Sequence, residues 1–476
     1  MALAVSGCKT LHSPARCDQP WLSTSKEIKK NVNDKTWSNI RCQKITESDK
    51  PLNLNALIDV ALRKSPALRQ TWRKARAYEA ALRQAESKLY PNVDVSGTLK
   101  RSKSHGSLGS SDTDELKYGP SADITYLLFD FGGRQALIEE AQEDLAAANY
   151  AFNQALQDTL LEVERSYYNL NSAKSALEAA MSNLEDSKKT YEAAQIRFEA
   201  GLSAKLDELQ AKSDYENALY QLEETKAELR KAQANLALAL GFPADYHIEI
   251  TPPANKKMIE FNERDITVLI DEALSLRPDI ASQKAALRSK IAAIKAANSN
   301  MYPSISLDLS AERNWYEDYE NNRERSHDYD FGAAINIDLD AFDGYGNINA
   351  KKQAQELAQA EEEKLIEAEL QASADVWVSF FNYQAAFKKL NYSKSYLSSA
   401  NNSYELAFES YKSGLSSIID VLDAQASLAQ ARSQLISSEE DLYMALSNLS
   451  HATGKLYRAS VVDFEQELVN LNITEY

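Results

Sequence analysis

Residues 302–310 read Tyr302-Pro303-Ser304-Ile305-Ser306-Leu307-Asp308-Leu309-Ser310, and the alternation that follows the proline decides the fold. Ile305, Leu307 and Leu309 face away from Ser306, Asp308 and Ser310, the period of two of a β-strand with one apolar and one polar face. Pro303 pushes Tyr302 out of the helical region and so marks where a preceding helix stops. A second run, in which Tyr329, Phe331, Ala333, Ile335, Ile337 and Leu339 oppose Asp330, Gly332, Asn336, Asp338 and Asp340, supplies the partner strand of a hairpin over 304–340. Strands of about 9–11 residues, apolar outside and polar inside, have the dimensions of a transmembrane barrel wall. The ordinary alternative is a hairpin lying on a soluble core. Against it, very long helical patterns flank these strands, with no other sheet to join.

The same text stands 212 residues earlier. Tyr90-Pro91 precedes a strand in which Val93, Val95 and Leu99 oppose Asp94, Ser96, Thr98 and Lys100. The polar stretch Ser102 to Lys117 reads as a loop, and Ile124, Tyr126 and Leu128 then oppose Asp123, Thr125 and Leu127 to close a hairpin over 92–130. That offset also relates Leu57-Ile58-Asp59 to Leu269-Ile270-Asp271. After one inserted residue, Phe129-Asp130 returns as Phe342-Asp343, Gly201-Leu202-Ser203 as Gly414-Leu415-Ser416 and Leu240-Gly241 as Thr453-Gly454. So many landmarks at one spacing predict an internal duplication whose unit is far longer than a solenoid repeat. Two equivalent halves are expected at 51–250 and 263–456, between a leader over 1–50 and a tail over 457–476. Four strands per chain are too few for a membrane barrel, for which about eight is the smallest number. The chain must pool its strands with copies of itself.

Helices fill the rest. With 14 Gly and 11 Pro in 476 residues, turns are scarce and elements must be long. A helical run is expected over 133–200, where Leu156, Leu160, Val163, Tyr167, Leu170, Leu177, Met181 and Leu184 fall at steps of four and three, a coiled-coil seam interrupted by Lys174. Its counterpart is expected over 347–413. Each makes a rod of about 100 Å at ~1.5 Å per residue, and a solvated single helix of that length would be unstable, so the rods must pack side by side within and between chains. Gly201 and Gly414 end them, and return helices follow over 203–240 and 415–452. The fold class is therefore mainly α with a small β part.

The formal charge of −17 argues against nucleic acid or an anionic membrane surface as partner. Mean hydropathy is −0.47, and no stretch approaches the ~18 apolar residues of a membrane helix. A bilayer can still be crossed by strands. Five scattered histidines, no metal-ligand spacing and no nucleophile with a nearby base leave neither an enzyme nor a cofactor reading. All three cysteines lie before residue 43. Cys8 follows Val5-Ser6-Gly7, which resembles the lipobox of bacterial lipoproteins, so lipidation is expected there. Cys17 and Cys42 are then an even pair, compatible with a disulfide in an oxidising periplasm, although two free thiols in a leader read almost as well.

From residue 52 to about 456 the chain resembles the TolC family of outer-membrane efflux proteins. The resemblance is carried by the doubled Tyr-Pro, by Leu128-Phe129-Asp130-Phe131-Gly132-Gly133, by Arg197-Phe198-Glu199-Ala200-Gly201-Leu202 with Asp207, and by Tyr411-Lys412-Ser413-Gly414-Leu415 with Ile419-Asp420-Val421-Leu422-Asp423-Ala424. It implies a homotrimer in the outer membrane of a Gram-negative bacterium, with twelve strands in one barrel continued by a helical tube through the periplasm. The implied partners are a periplasmic adaptor protein and an inner-membrane pump of RND or ABC type. Passive conduction of small molecules is the expected function, with type I protein secretion as the alternative. A periplasmic adaptor would show a single helical hairpin within lipoyl-like and barrel domains, and a soluble coiled-coil scaffold would lack paired strands.

The resemblance also places residues. Asp420 and Asp423, one helical step apart, match the periplasmic constriction, where three chains would stack two acidic rings that attract cations. Asp207 and Tyr411 match positions whose hydrogen bonds help hold the closed state. Efflux members often carry an arginine two residues after the second-half glycine. Here Ser416 stands there, and Lys205 or Lys412 is the expected substitute. Gly201, Leu202, Ser203, Gly414, Leu415 and Ser416 match the tips where the adaptor docks. Asp94, Asp123, Asp308, Asp330, Asp338 and Asp340, alternating with lipid-facing residues, predict a cation-favouring lumen.

Overall fold

A computed structural model describes residues 51–104, 113–253, 265–318 and 324–456. Cys8, Cys17, Cys42, the leader and the tail from 457 lie outside the described residues. The elements are α1 (Leu54–Lys64), α2 (Pro66–Glu86), β1 (Asn92–Ser104), β2 (Thr113–Phe129), α3 (Gly133–Glu199) and α4 (Lys205–Ala239), followed by α5 (Asp265–Leu276), α6 (Pro278–Ser299), β3 (Ser304–Asp318), β4 (Glu324–Asp338), α7 (Gly346–Lys412) and α8 (Ile418–Ala452). The order α-α-β-β-α-α thus occurs twice. The long helices are 67 residues each and the returning ones 35 each. No described helix is long and apolar enough to cross a membrane.

The chain divides into two compact units. One comprises residues 74–148 and 282–367 and holds the sheet. Its four strands run in the order β1-β2-β3-β4, all antiparallel. The register aligns the alternation across the sheet: Val93, Ile124, Leu309 and Ala333 form one row, Tyr126, Leu307 and Ile335 another, while Asp94, Asp123, Ser310 and Gly332 share the opposite face. Among the described residues the apolar side is left uncovered around Val95 and Phe331, which are 77% and 78% exposed and so do not rest on a soluble core.

The strands are 13 to 17 residues long rather than 9–11. The expected loop over Ser102 to Lys117 is correspondingly shortened, because pairing continues through Lys103↔Asp114 and Ser104↔Thr113. The ladder is made of backbone groups, so polar side chains can extend it as well as apolar ones, and Arg101 locks this extension by donating to both carboxylate oxygens of Asp114 at 2.9 and 3.0 Å. Pairing of β2 with β3 lapses at Gly119 and Pro120, where proline has no N–H to give. A Cβ at Gly119 would lie 1.9 Å from the Arg313 carbonyl oxygen, so the two strands can approach only over glycine. At the other end β4 stops at Asp338, which leaves Leu339 and Asp340 outside the strand. The repeated Phe-Asp pair there starts the long helices: the Asp130 carboxylate accepts the Arg134 N–H at 2.6 Å, and Asp343 accepts those of Gly346 and Asn347 at 3.0 and 2.5 Å.

The other unit, residues 1–73, 149–281 and 368–476, contains three apolar clusters. Leu57, Ile58 and Ala61 of α1 meet Leu160, Val163, Tyr167 and Leu170 of α3 and Leu236 of α4. Ile266, Leu269 and Ala273 of α5 meet Val376, Phe380 and Tyr383 of α7 and Leu442 and Leu449 of α8 in the same manner. The third lies at the turns, where Ala194, Ala211, Tyr404, Tyr411, Ile418, Val421 and Leu428 pack together. The seam of α3 departs from the expected heptad after Leu170. Met181 is half exposed, and the buried positions become Ser187, Thr190 and Ala194. Past the reach of α1, this face keeps its contact with α4, where Ser187 Oγ donates to Asp214 at 3.1 Å, and adds α8, whose Gln425 accepts from Thr190 Oγ1 and donates to Ser187 Oγ at 2.8 and 2.7 Å.

Candidate functional site: the helix turns and the two faces of the sheet

At both turns the long helix ends in the same way. The Leu202 N–H bonds to the Arg197 carbonyl and that of Gly201 to Phe198; the Leu415 N–H bonds to Ser410 and that of Gly414 to Tyr411. This pair of crossed bonds is a Schellman motif, and it needs the left-handed φ of +71° at Gly201 and +81° at Gly414. The apolar residue that ordinarily folds back onto the helix does not do so here. Leu415 is 84% exposed, and Leu202, Leu206 and Ile419 are also largely exposed. Ser416 Oγ donates to the Ala407 carbonyl at 3.2 Å, whereas Ser203 Oγ is buried without a partner.

Tyr411 is 2% exposed, and its hydroxyl has no hydrogen-bond partner among the described residues. Burial pushes the phenol pKa up, with Arg197 acting against that and Asp207 adding to it, so Asp207 and Tyr411 are electrostatic neighbours. Arg197 joins the two turns. Its Nη1 donates to the carbonyls of Tyr411 and Lys412 at 2.8 and 3.3 Å, and its guanidinium sits 4.9 Å from the Tyr411 ring centre. These carbonyls close α7 and carry the negative end of its dipole, which a guanidinium suits. Within the chain, Lys205 pairs with Glu208 over the Phe198 ring, and Lys412 pairs with Glu409 at 2.8 Å. The motif around Gly201 does not disclose this role of Arg197, since sequence spacing cannot reveal a partner 214 residues away whose acceptors are backbone atoms.

Asp420 and Asp423 both lie exposed at the start of α8. Asp420 has a structural task as well. Ser417 Oγ accepts the Asp420 N–H at 3.3 Å and Asp420 Oδ2 accepts the Ser417 N–H at 2.9 Å, a reciprocal capping box. The hydrogen bond from the Ser417 backbone, then that from its hydroxyl, holds the carboxyl below the usual aspartate range. The side chain of Gln425 also donates to Asp214, which burial pushes above that range.

In the sheet, the polar face sets Asp94 directly opposite Asp123, with Asn92 donating to Asp94 at 2.5 Å, and Asp308 accepts from Ser306 at 3.3 Å and from Asn336. Toward the hairpin turns Lys117 pairs with Glu312 at 2.9 Å. On the apolar face, Phe129, Phe131 and Tyr302 form an aromatic group at one end, with centroids 4.8 and 5.1 Å apart, and Tyr118 stacks on Trp315 at the other. An apolar band between aromatic girdles is how a membrane-embedded strand wall presents itself to lipid. No cluster of three or more metal-binding side chains occurs among the described residues.

Comparison with known proteins agrees with this geometry. Protein CyaE of Bordetella pertussis is 28% identical over 411 residues, covering 86% of this chain and 85% of CyaE. Toluene efflux pump outer membrane protein TtgF of Pseudomonas putida is 27% identical over 405 residues, covering 83% and 82%. The outer membrane protein VceC of Vibrio cholerae, at 20% identity, shares the fold with a TM-score of 0.72 over 84% of this chain and 96% of that one. The outer membrane efflux protein family matches residues 57–242 and again residues 269–455. By this double match across most of its length, the chain belongs to the outer membrane efflux protein family.

Proposed function

We propose that three copies of the chain pool four strands each into one twelve-stranded barrel, and that each chain arose by internal duplication. The exposed apolar face of the sheet, backed by a polar one, carries this reading: such a surface is stable only against lipid, and its two edge strands are unpaired in a single chain. The polar face then lines a wet lumen, and the long helices continue the duct into the periplasm. The turns at Gly201-Leu202-Ser203 and Gly414-Leu415-Ser416, with their outward leucines, dock on a periplasmic adaptor that couples the duct to an inner-membrane pump. Asp420, Asp423, Asp207 and Tyr411, the last of them bonded through its carbonyl to Arg197, form the periplasmic gate. The relative named for toluene efflux supports a small-molecule cargo. Native mass spectrometry in detergent tests the assembly, with a trimer expected; a monodisperse monomer soluble without detergent would refute it.

A further inference from the structure

At the hairpin-turn end of the apolar face the chemistry changes over a single row. Register places Leu99, Tyr118, Trp315 and His327 across the four strands, and the next row outward on the same face is Arg101, Leu116, Glu317 and Arg325. Lys103 follows, opposite Asp114. Arg313, paired with Tyr329, turns its guanidinium over the Trp315 and Tyr329 rings at 4.6 and 4.8 Å. The two carboxylates of the cluster lie inside the cations: Asp114 is nearly covered beneath Arg101 and Lys103, and Glu317 is shielded by Arg325 at 2.9 Å, while the three basic side chains stay mostly exposed. On a chain of net charge −17, this rim thus gathers three cations, Arg101, Lys103 and Arg325, against two acids among the described residues, with Arg313 one row inward of Trp315.

Its depth is defined. From Ile305 to Trp315, β3 rises about 34 Å at ~3.4 Å per residue, or roughly 26 Å along the normal at a ~40° tilt, which matches an apolar band of ~25 Å. The basic rows therefore begin where the hydrocarbon ends, on the side facing lipid rather than lumen. We propose that this rim binds the phosphate groups of a phosphorylated glycolipid in the outer leaflet, with Arg101 and Lys103 at one edge of the sheet and Arg325 about three strand spacings, ~14 Å, away at the other. Guanidinium forks match phosphate oxygens bidentately, and Asp114 and Glu317 hold those forks in place. The inference rests on the reading that the sheet spans the outer membrane.

The test uses the full detergent-solubilised protein, with bound lipid counted by native mass spectrometry. The probes are bisphosphorylated lipid A and the same lipid stripped of both phosphates, with inorganic phosphate as competitor. Wild type should prefer the phosphorylated lipid by about tenfold or more, because each of the three basic side chains is drawn to an anionic surface. The preference should vanish when Arg101→Gln, Lys103→Gln and Arg325→Gln are combined, and inorganic phosphate should not displace the lipid. Equal binding of the two lipids by wild type would overturn the proposal without any variant having to fold. So would a preserved preference in a variant of wild-type native mass, and displacement by inorganic phosphate would reduce the rim to a free-anion site. Wild-type protein that fractionates away from the outer membrane would sink the spanning reading itself; wild type that resides there without lipid preference sinks only this one.

Discussion

Replacing Arg197 by alanine should loosen the contact between the two helix turns by about 2 kcal/mol. The Nη1 bond of 2.8 Å to the Tyr411 carbonyl is charge-assisted and contributes roughly 1.5–3 kcal/mol, while the 3.3 Å bond to Lys412 adds little. The guanidinium over the Tyr411 ring adds about 0.5–1 kcal/mol. Against these stands Nε, buried without a partner, whose removal returns about 1 kcal/mol. Provided that opening the proposed gate breaks these Arg197 contacts, the open fraction should rise about thirtyfold, at ~1.4 kcal/mol per tenfold. Single-channel recording in planar bilayers reads this as a higher open probability, with native mass spectrometry confirming an intact assembly. Arg197→Lys should fall between the two, because an ammonium keeps the charge but loses the planar fork. A double-mutant cycle with Tyr411→Leu isolates the ring contact, since the carbonyls survive that change. If Arg197→Ala records like wild type, or if Arg197→Lys fully replaces arginine, these contacts do not latch the tip.

Exchanging Asp420 and Asp423 together for asparagine, which spares most of the capping box, should abolish block by a trivalent cation added from the periplasmic side; unchanged block would make them merely solvated carboxylates. Burial raises the Asp214 pKa, so its ionisation costs stability as pH climbs from the unfolded aspartate value near 4 through the higher folded one; Asp214→Asn should flatten the melting temperature over that window, and a curve still parallel to wild type would refute this. The barrel should favour cations, because Asp94, Asp123, Asp308 and Asp330 share the polar face, and a reversal potential of anion sign in a salt gradient would show that Lys100 and Lys117 dominate instead.

How much of this was legible in the sequence depends on the range of the interaction that fixes each part. The strands show in Ile305-Ser306-Leu307-Asp308 because a bilayer on one side and water on the other impose a period of two on neighbouring residues. The turns show at Gly201 and Gly414 because a left-handed φ leaves a local demand for glycine. The true reach of β1 and β2 was hidden, because beyond the membrane the ladder tolerates polar residues, and Arg101 with Asp114 look like loop residues until they pair. The switch of the α3 seam at Ser187 and Thr190 was hidden for a related reason: a small polar residue reads as surface until a distant Gln425 satisfies it. Asp420 shows how the two kinds overlap at the proposed gate. Its capping role was available locally as Ser417 followed three residues later by an acid, yet the same carboxylate is exposed where an assembled duct would use it. A residue held by a short-range bond is fixed in position, and that fixity is what lets its charge act at a constriction; changing Asp420 therefore perturbs helix and gate together, and only a substitution that keeps the cap can separate them.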